Sequence, residues 1–186
     1  MAMKLIFFLP LLLGHYLWAF EGFEKADVIN AKVIQLNAQT LKEKKATVLI
    51  FLSARCPCSH SHIEEIKELN SIFKEQIRFI AIHSNQNETL EESKKYFSQV
   101  NLGFPVVDDV NAAIADQYKA FKTPHAFVLD PNGEIIYRGG VSSSQHFDTT
   151  VKKYLRDILT DISQGQKPRM TESKSLGCVI LRKGGV

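Results

Sequence analysis

The sequence predicts an α/β fold in which a central mixed sheet is flanked by helices. Two apolar runs, each followed by a stretch with helical spacing, predict the parallel part of that sheet. A strong turn between two later apolar runs predicts an antiparallel hairpin that closes it.

Thr47-Val48-Leu49-Ile50-Phe51-Leu52 is continuous, apolar and β-branched, the mark of a strand buried on both faces. From Ser59 onward Ile63, Ile66, Leu69 and Phe73 recur at helical spacing, so a helix follows directly. Ile77-Arg78-Phe79-Ile80-Ala81-Ile82 is a second buried strand. Thr89 with Glu92 forms a capping box for a helix running to about Gln99. Gly103-Phe104-Pro105-Val106-Val107 reads as a loop and a short strand. Asp109 or Asn111 then caps a helix with Ile114, Tyr118 and Phe121 on its inner side.

Ala126-Phe127-Val128-Leu129 and Glu134-Ile135-Ile136-Tyr137 flank the turn Asp130-Pro131-Asn132-Gly133. Ser144 caps a last helix whose apolar face is Phe147, Val151, Tyr154, Ile158 and Ile162. Upstream, Val33-Ile34-Gln35-Leu36 is a short strand in an N-terminal extension. Beyond Gly165 the chain is polar, with no clear element before Cys178. After the extension the order is β-α-β-α-β-α-β-β-α, so two βαβ crossovers feed a mixed sheet.

The 186 residues carry a net charge of +3 with both signs interspersed, which leaves no nucleic-acid footprint. Lys4 precedes an apolar run from Leu5 that continues, interrupted by Gly14 and His15, to Phe20. This is the charged and apolar pattern of a signal peptide over residues 1–19, cleaved after Ala19; a retained N-terminal anchor is the alternative. Either way the body of the protein is exported, to a periplasm or the cell exterior, where disulfides persist. A membrane enters only if the N-terminal segment is retained.

The three cysteines follow from that setting. Cys56 and Cys58 flank Pro57 where the first buried strand gives way to its helix. A thiolate at a helix N-terminus is favoured by the helix dipole and by unpaired backbone N–H groups, and Arg55 adds a positive charge next to Cys56. Cys178 lies in the tail, residues 165–186. An odd count leaves at least one thiol free or paired with a partner. A Cys56–Cys58 bond would close a very small, strained ring around Pro57. The tail is long enough to fold back, and Gly177 lets it turn sharply. A strained Cys56–Cys58 bond, Cys56–Cys178, Cys58–Cys178, a bystander Cys178 and a purely structural staple all stay open.

The order of elements, with cysteine at the first strand-to-helix junction, resembles a thioredoxin-like three-layer sandwich. The likeness is to exported redoxins related to the alkyl hydroperoxide reductase and thiol-specific antioxidant group. It runs from about Val33 to Thr160, within a domain spanning 20–164. Leu49 to Leu69 resembles the family's strand, cysteine motif and first helix. Phe104-Pro105-Val106-Val107-Asp108-Asp109 resembles its substrate-side loop, and Thr123-Pro124 its cis-proline loop. Phe127-Val128-Leu129-Asp130 to Tyr137-Arg138-Gly139-Gly140 resembles the closing hairpin. Leu176-Gly177-Cys178-Val179-Ile180 is similar to a C-terminal Gly-Cys-x-Ile segment of some exported redoxins.

The chain also departs from the family. Ser59 occupies the usual resolving position of Cys-x-x-Cys, and Cys58 comes one residue early. Leu49 stands where a peroxiredoxin has its proline. The resemblance implies a thiol–disulfide oxidoreductase with Cys56 as nucleophile and Cys58 or Cys178 as resolving thiol. It also implies that Pro57, Thr123 and Pro124 contact substrate, with the backbone of Thr123 pairing with substrate chains. The expected partners are protein or small-molecule disulfides and a thiol electron donor, with no cofactor. Peroxide reduction through a Cys56 sulfenic acid is one alternative. Copper binding by sulfur and imidazole from Cys56, Cys58, His60, His62, His125 and Cys178 is another. His60 and His62 otherwise belong on the polar shoulder of the first helix.

Overall fold

A computed structural model describes residues 20–184. The expected signal peptide or anchor, residues 1–19, lies outside the described residues. Among these, no helix is long and apolar enough to cross a membrane.

The chain opens with the antiparallel pair β1 (Phe23–Ala26) and β2 (Val33–Leu36), followed by the short helix α1 (Ala38–Leu41). The sheet is then laid down by β3 (Ala46–Phe51), β4 (Ile77–His83), β5 (Val106–Asp108), β7 (His125–Leu129) and β8 (Ile135–Gly139). Their order across the sheet is β5-β4-β3-β7-β8. The pairs β3/β4 and β4/β5 are parallel, whereas β3/β7 and β7/β8 are antiparallel. The mixed sheet is therefore the one expected. β3 is buried at every position because helices cover both faces of this central strand.

Alternate strand residues feed two cores. Val48, Ile50, Phe79, Ala81 and Val128 meet Ile63, Ile66 and Leu69 of α2 (Pro57–Phe73), Phe97 of α3 (Leu90–Val100) and Leu155, Ile158 and Leu159 of α5 (Tyr154–Ser163). Leu49, Phe51, Ile80, Ile82 and Phe127 meet Ile114, Ala115 and Tyr118 of α4 (Ala113–Tyr118), together with Leu41 and, from the tail, Ile180. Helix, sheet and helix make three layers, as the resemblance implied. The last two strands, β6 (Lys122–Thr123) and β9 (Cys178–Val179), pair only with each other.

The expected capping box on α3 is present: Thr89 and Glu92 exchange hydrogen bonds. Asp109 accepts from Ile114 N at 2.8 Å and Ala115 N at 2.9 Å, so Asp109 and not Asn111 holds the start of α4. That helix stops at Lys119, whose φ of +54° breaks it, so Phe121 falls beyond its end and is 52% exposed.

Two expectations about helices fail. Ser144 does not cap the last helix, which starts at Tyr154 after Lys153. Ser143 is responsible for much of the delay. Its hydroxyl accepts from Val151 N and Lys152 N, and its own N–H donates to Thr150 Oγ1. Hydroxyls that take up backbone groups in this way compete with helix formation. Val151, expected on the apolar face, is consequently 89% exposed, and Phe147 sits in a short 3₁₀ turn (Phe147–Thr149). His62 is likewise not on a polar shoulder. It is 1% exposed, and Ser142, just past the end of β8, hydrogen-bonds its ring.

Candidate functional site

The loop between β3 and α2 is built around the Ser53 hydroxyl. It accepts from Arg55 N at 3.2 Å and Cys56 N at 3.1 Å, and it donates to the Glu88 carboxylate. Glu88 also accepts from Ala54 N at 2.7 Å and Asn85 Nδ2 at 2.9 Å. The loop thus delivers Cys56 as the N-cap of α2. Pro57 follows at the first helical position, where its missing N–H costs nothing.

Cys56 and Cys178 form a disulfide with a Cα–Cα separation of 6.0 Å. Cys58, two residues into the same helix turn, is free and buried. The three sulfurs all lie within 4.8 Å of one another. The Thr123-Pro124 peptide is cis, and the Thr123 carbonyl oxygen lies 3.2 Å from Cys56 Sγ. The six residues expected to carry the thiol chemistry or contact substrate (Cys56, Pro57, Cys58, Thr123, Pro124 and Cys178) therefore meet at one end of the sheet.

The tail arrives by backbone pairing. Thr123 faces Cys178 and Lys122 faces Val179 in the antiparallel β6/β9 pair. Ile180 N donates to Phe121 O at 3.1 Å, and Ser175 Oγ donates to Pro124 O at 2.9 Å. Beyond the cysteine, Leu181 N donates to Asn85 Oδ1, and Gln86 N donates to Leu181 O. Asn85 thus bonds both the tail and Glu88, and so joins the tail to the loop that presents Cys56.

The Arg55 guanidinium, expected as a positive charge beside Cys56, forms an ion pair with Glu92 of α3. The ionised group nearest the loop's backbone is Glu88, whose side chain is 2% exposed. Burial pushes its pKa up, but hydrogen bonds from His83 and Ser53, the His83 charge and Ala54 N–H outweigh burial and hold it at about 2. Burial likewise lowers His83, yet Asp108 and Glu88 outweigh it and leave its pKa raised. Nothing in the spacing of the sequence marked this pair. The capping box began one residue after Glu88 and accounted for the surrounding polarity.

The sign of each shift gives a prediction. The depressed Glu88 contributes stability above its unfolded pKa, near 4.5, and loses it as pH falls toward 2. The raised His83 contributes below its unfolded value of 6.5 and loses it as pH climbs through the folded value. Glu88→Gln is therefore expected to lower stability by about 2 kcal/mol at neutral pH and to flatten the loss of stability between pH 4.5 and 2. Urea unfolding midpoints across that range measure both effects.

Of the donors considered for copper, only the sulfurs converge. His62 uses Nδ1 on the Cys58 carbonyl oxygen and Nε2 on Ser142, both at 2.8 Å. His60 Nε2 lies 2.7 Å from the Ala54 carbonyl oxygen, and its ring stacks on Tyr96. When reduced, Cys56, Cys58 and Cys178 offer three soft ligands and no imidazole.

Residues 44–135 match the family model described as Thioredoxin-like. The chain is 26% identical over 142 residues to the thiol-disulfide oxidoreductase ResA of Oceanobacillus iheyensis, covering 75% of this chain and 69% of that protein. Its fold is similar to that of an uncharacterized conserved protein from Geobacillus kaustophilus, with a TM-score of 0.80 at 24% identity over 90% of this chain and 92% of that one. A secreted disulfide oxidoreductase of Mycobacterium tuberculosis shares the fold with a TM-score of 0.52 at 17% identity, over 61% of this chain and 79% of that one. Residues 44–135 thus carry the match to a thioredoxin-like family model, and the mixed sheet with its flanking helices has a thioredoxin-like fold.

Proposed function

We propose that this protein is an exported thiol–disulfide oxidoreductase in which Cys56 is the nucleophile and Cys178 the resolving thiol. The observation that carries this reading is the Cys56–Cys178 disulfide, formed at a helix N-terminus beside Thr123-Pro124. The likeness to the ResA oxidoreductase supports the same chemistry.

In the reducing direction the Cys56 thiolate attacks one sulfur of a client disulfide. A Cys56–client bond forms, and the client's other sulfur leaves as a thiolate. The Cys178 thiolate then attacks Cys56 Sγ and expels the second client thiolate. Two electrons have passed to the client, and Cys56–Cys178 is the oxidised product. A thiol electron donor reduces it again. A thiol client run through the same steps in reverse is oxidised.

Trapping tests the assignment. With Cys178→Ser, a mixed disulfide between Cys56 and a client protein is expected to accumulate on non-reducing gels. With Cys58→Ser, turnover is expected to continue. Accumulation in the Cys58 variant alone would transfer the resolving role to Cys58. Export rests on the apolar run after Lys4 and on disulfide use. The mass of protein recovered outside the cytoplasm is expected to correspond to a chain beginning at Phe20, or to the uncleaved chain if the segment is an anchor.

The convergence of three sulfurs favours one second reading, a Cu(I)-binding module. Stoichiometric Cu(I) retention by the reduced chain, lost in a Cys56→Ser/Cys58→Ser double variant, supports it. Failure to retain Cu(I) removes it.

A further inference from the structure

We infer that residues 175–181 occupy the seat of this protein's client, and that the client is an extended polypeptide carrying glycine before its reactive cysteine and a branched aliphatic residue two positions after it. The inference rests on the oxidoreductase reading and adds the substrate class.

Cys56 is 2% exposed, and the tail covers it. A second chain that brings sulfur to Cys56 must therefore come by the route the tail already takes. That route is defined by backbone groups, which any extended chain can use: Thr123 opposite Cys178, Phe121 O accepting from Ile180 N, and Gln86 N donating to Leu181 O. Lys122 Nζ adds a bond to Gly177 O at 3.2 Å. These contacts set direction and register without reading side chains.

Side chains are read at alternate positions, as expected of a strand. Cys178 points to Cys56, and Ile180 is fully buried in the core formed by Leu49, Phe51, Tyr118 and Phe127. Val179 between them is 37% exposed and carries little selection. At Gly177 a Cβ would stand 2.1 Å from the Thr123 carbonyl oxygen, a backbone atom that cannot move aside cheaply. Any other residue before the cysteine pushes the strand off Thr123. On that side the seat opens into a cavity of about 640 Å³, lined by Tyr118, Phe121, His125, Phe127 and Leu176. Larger residues are accommodated there, further upstream of the cysteine.

Client and tail compete for one seat. The client leaves as Cys178 returns: the Cys178 thiolate forms its bond to Cys56 Sγ, the Cys56–client bond breaks, and the client cysteine departs as a thiolate. Release of the client and reseating of the tail are one event, so oxidised protein cannot retain a reduced client.

The test uses the full chain as the Cys58→Ser/Cys178→Ser variant, in which Cys56 is the one thiol. The probe is the peptide Ser-Leu-Gly-Cys-Val-Ile-Leu with its cysteine activated as a mixed disulfide with thionitrobenzoate. Thionitrobenzoate release, followed by absorbance, gives the rate of bond formation to Cys56. Peptides carrying Gly177→Val or Ile180→Asp are expected to react slower by about tenfold or more, and a Val179→Asp peptide within about twofold of the parent. Equal rates for all four peptides, with 5,5′-dithiobis(2-nitrobenzoate) itself reacting rapidly, would overturn the client assignment and leave the oxidoreductase reading standing. If neither the peptides nor that small disulfide reacts, the nucleophile assignment falls first.

Discussion

Replacing Cys56 by serine is expected to reduce insulin-disulfide reduction to the uncatalysed rate. Thiol exchange requires a thiolate, and a serine hydroxyl at the same place is not ionised near neutral pH. Cys58 cannot substitute. Thr123 O lies beside Cys56 Sγ, and in the proposed mechanism the incoming sulfur takes the place at Cys56 that Cys178 of the tail holds. In the variant, Cys58 and Cys178 are still within reach of each other, since all three sulfurs lie within 4.8 Å. The variant is therefore expected to oxidise to a Cys58–Cys178 species that is folded and inactive. Turbidity with dithiothreitol as donor measures the activity, and peptide mapping by mass spectrometry shows the new bond. Full activity in Cys56→Ser would end the assignment.

Loss of the disulfide is expected to have the largest effect on stability. The bond joins residues 122 apart. In the chain-entropy account a loop of that size contributes about 5 kcal/mol by restricting the unfolded chain, although measured values are often nearer 2–4 kcal/mol. Cys178→Ser is accordingly expected to lower Tm by roughly 10 °C. Wild-type protein treated with reductant should unfold near the same temperature, because its tail also keeps Ile180 in the core and Leu181 on Asn85. Calorimetry with and without reductant checks both values. An unchanged Tm in both would show that the tail is held by its other contacts alone. The same comparison bears on the proposed function, in which each catalytic cycle makes and breaks the bond that fastens the tail.

The parts of the fold that could be read from the sequence are those whose signals are local. β3 and β4 are runs of apolar residues, and a central strand covered on both sides requires such runs. Asp130-Pro131-Asn132-Gly133 turns because Asp130 accepts from Asn132 N and Glu134 N, bonds made within a few residues. The α3 capping box is equally local. The pattern misleads where a competing partner outside the element prevails. Phe147 and Val151 have the right period for α5, but Ser143 takes the backbone groups that a helix would need. His62 looked solvated because Ser142 is 80 residues away in the chain and adjacent only after folding.

The candidate site divides in the same way. Sequence alone determined that Cys56 sits at a strand-to-helix junction before a proline and that Thr123-Pro124 precedes a strand, because junctions and prolines act on their immediate neighbours. It also showed that a third cysteine stood in a tail with glycine before it. Tertiary structure alone decided which sulfur that cysteine meets, since pairing across 122 residues depends on where the whole intervening chain packs. It also revealed the buried Glu88–His83 pair beneath the loop and the tail lying against Thr123. Those features are sums of contacts between segments that have no common pattern in the sequence, and so they become visible only in the assembled fold.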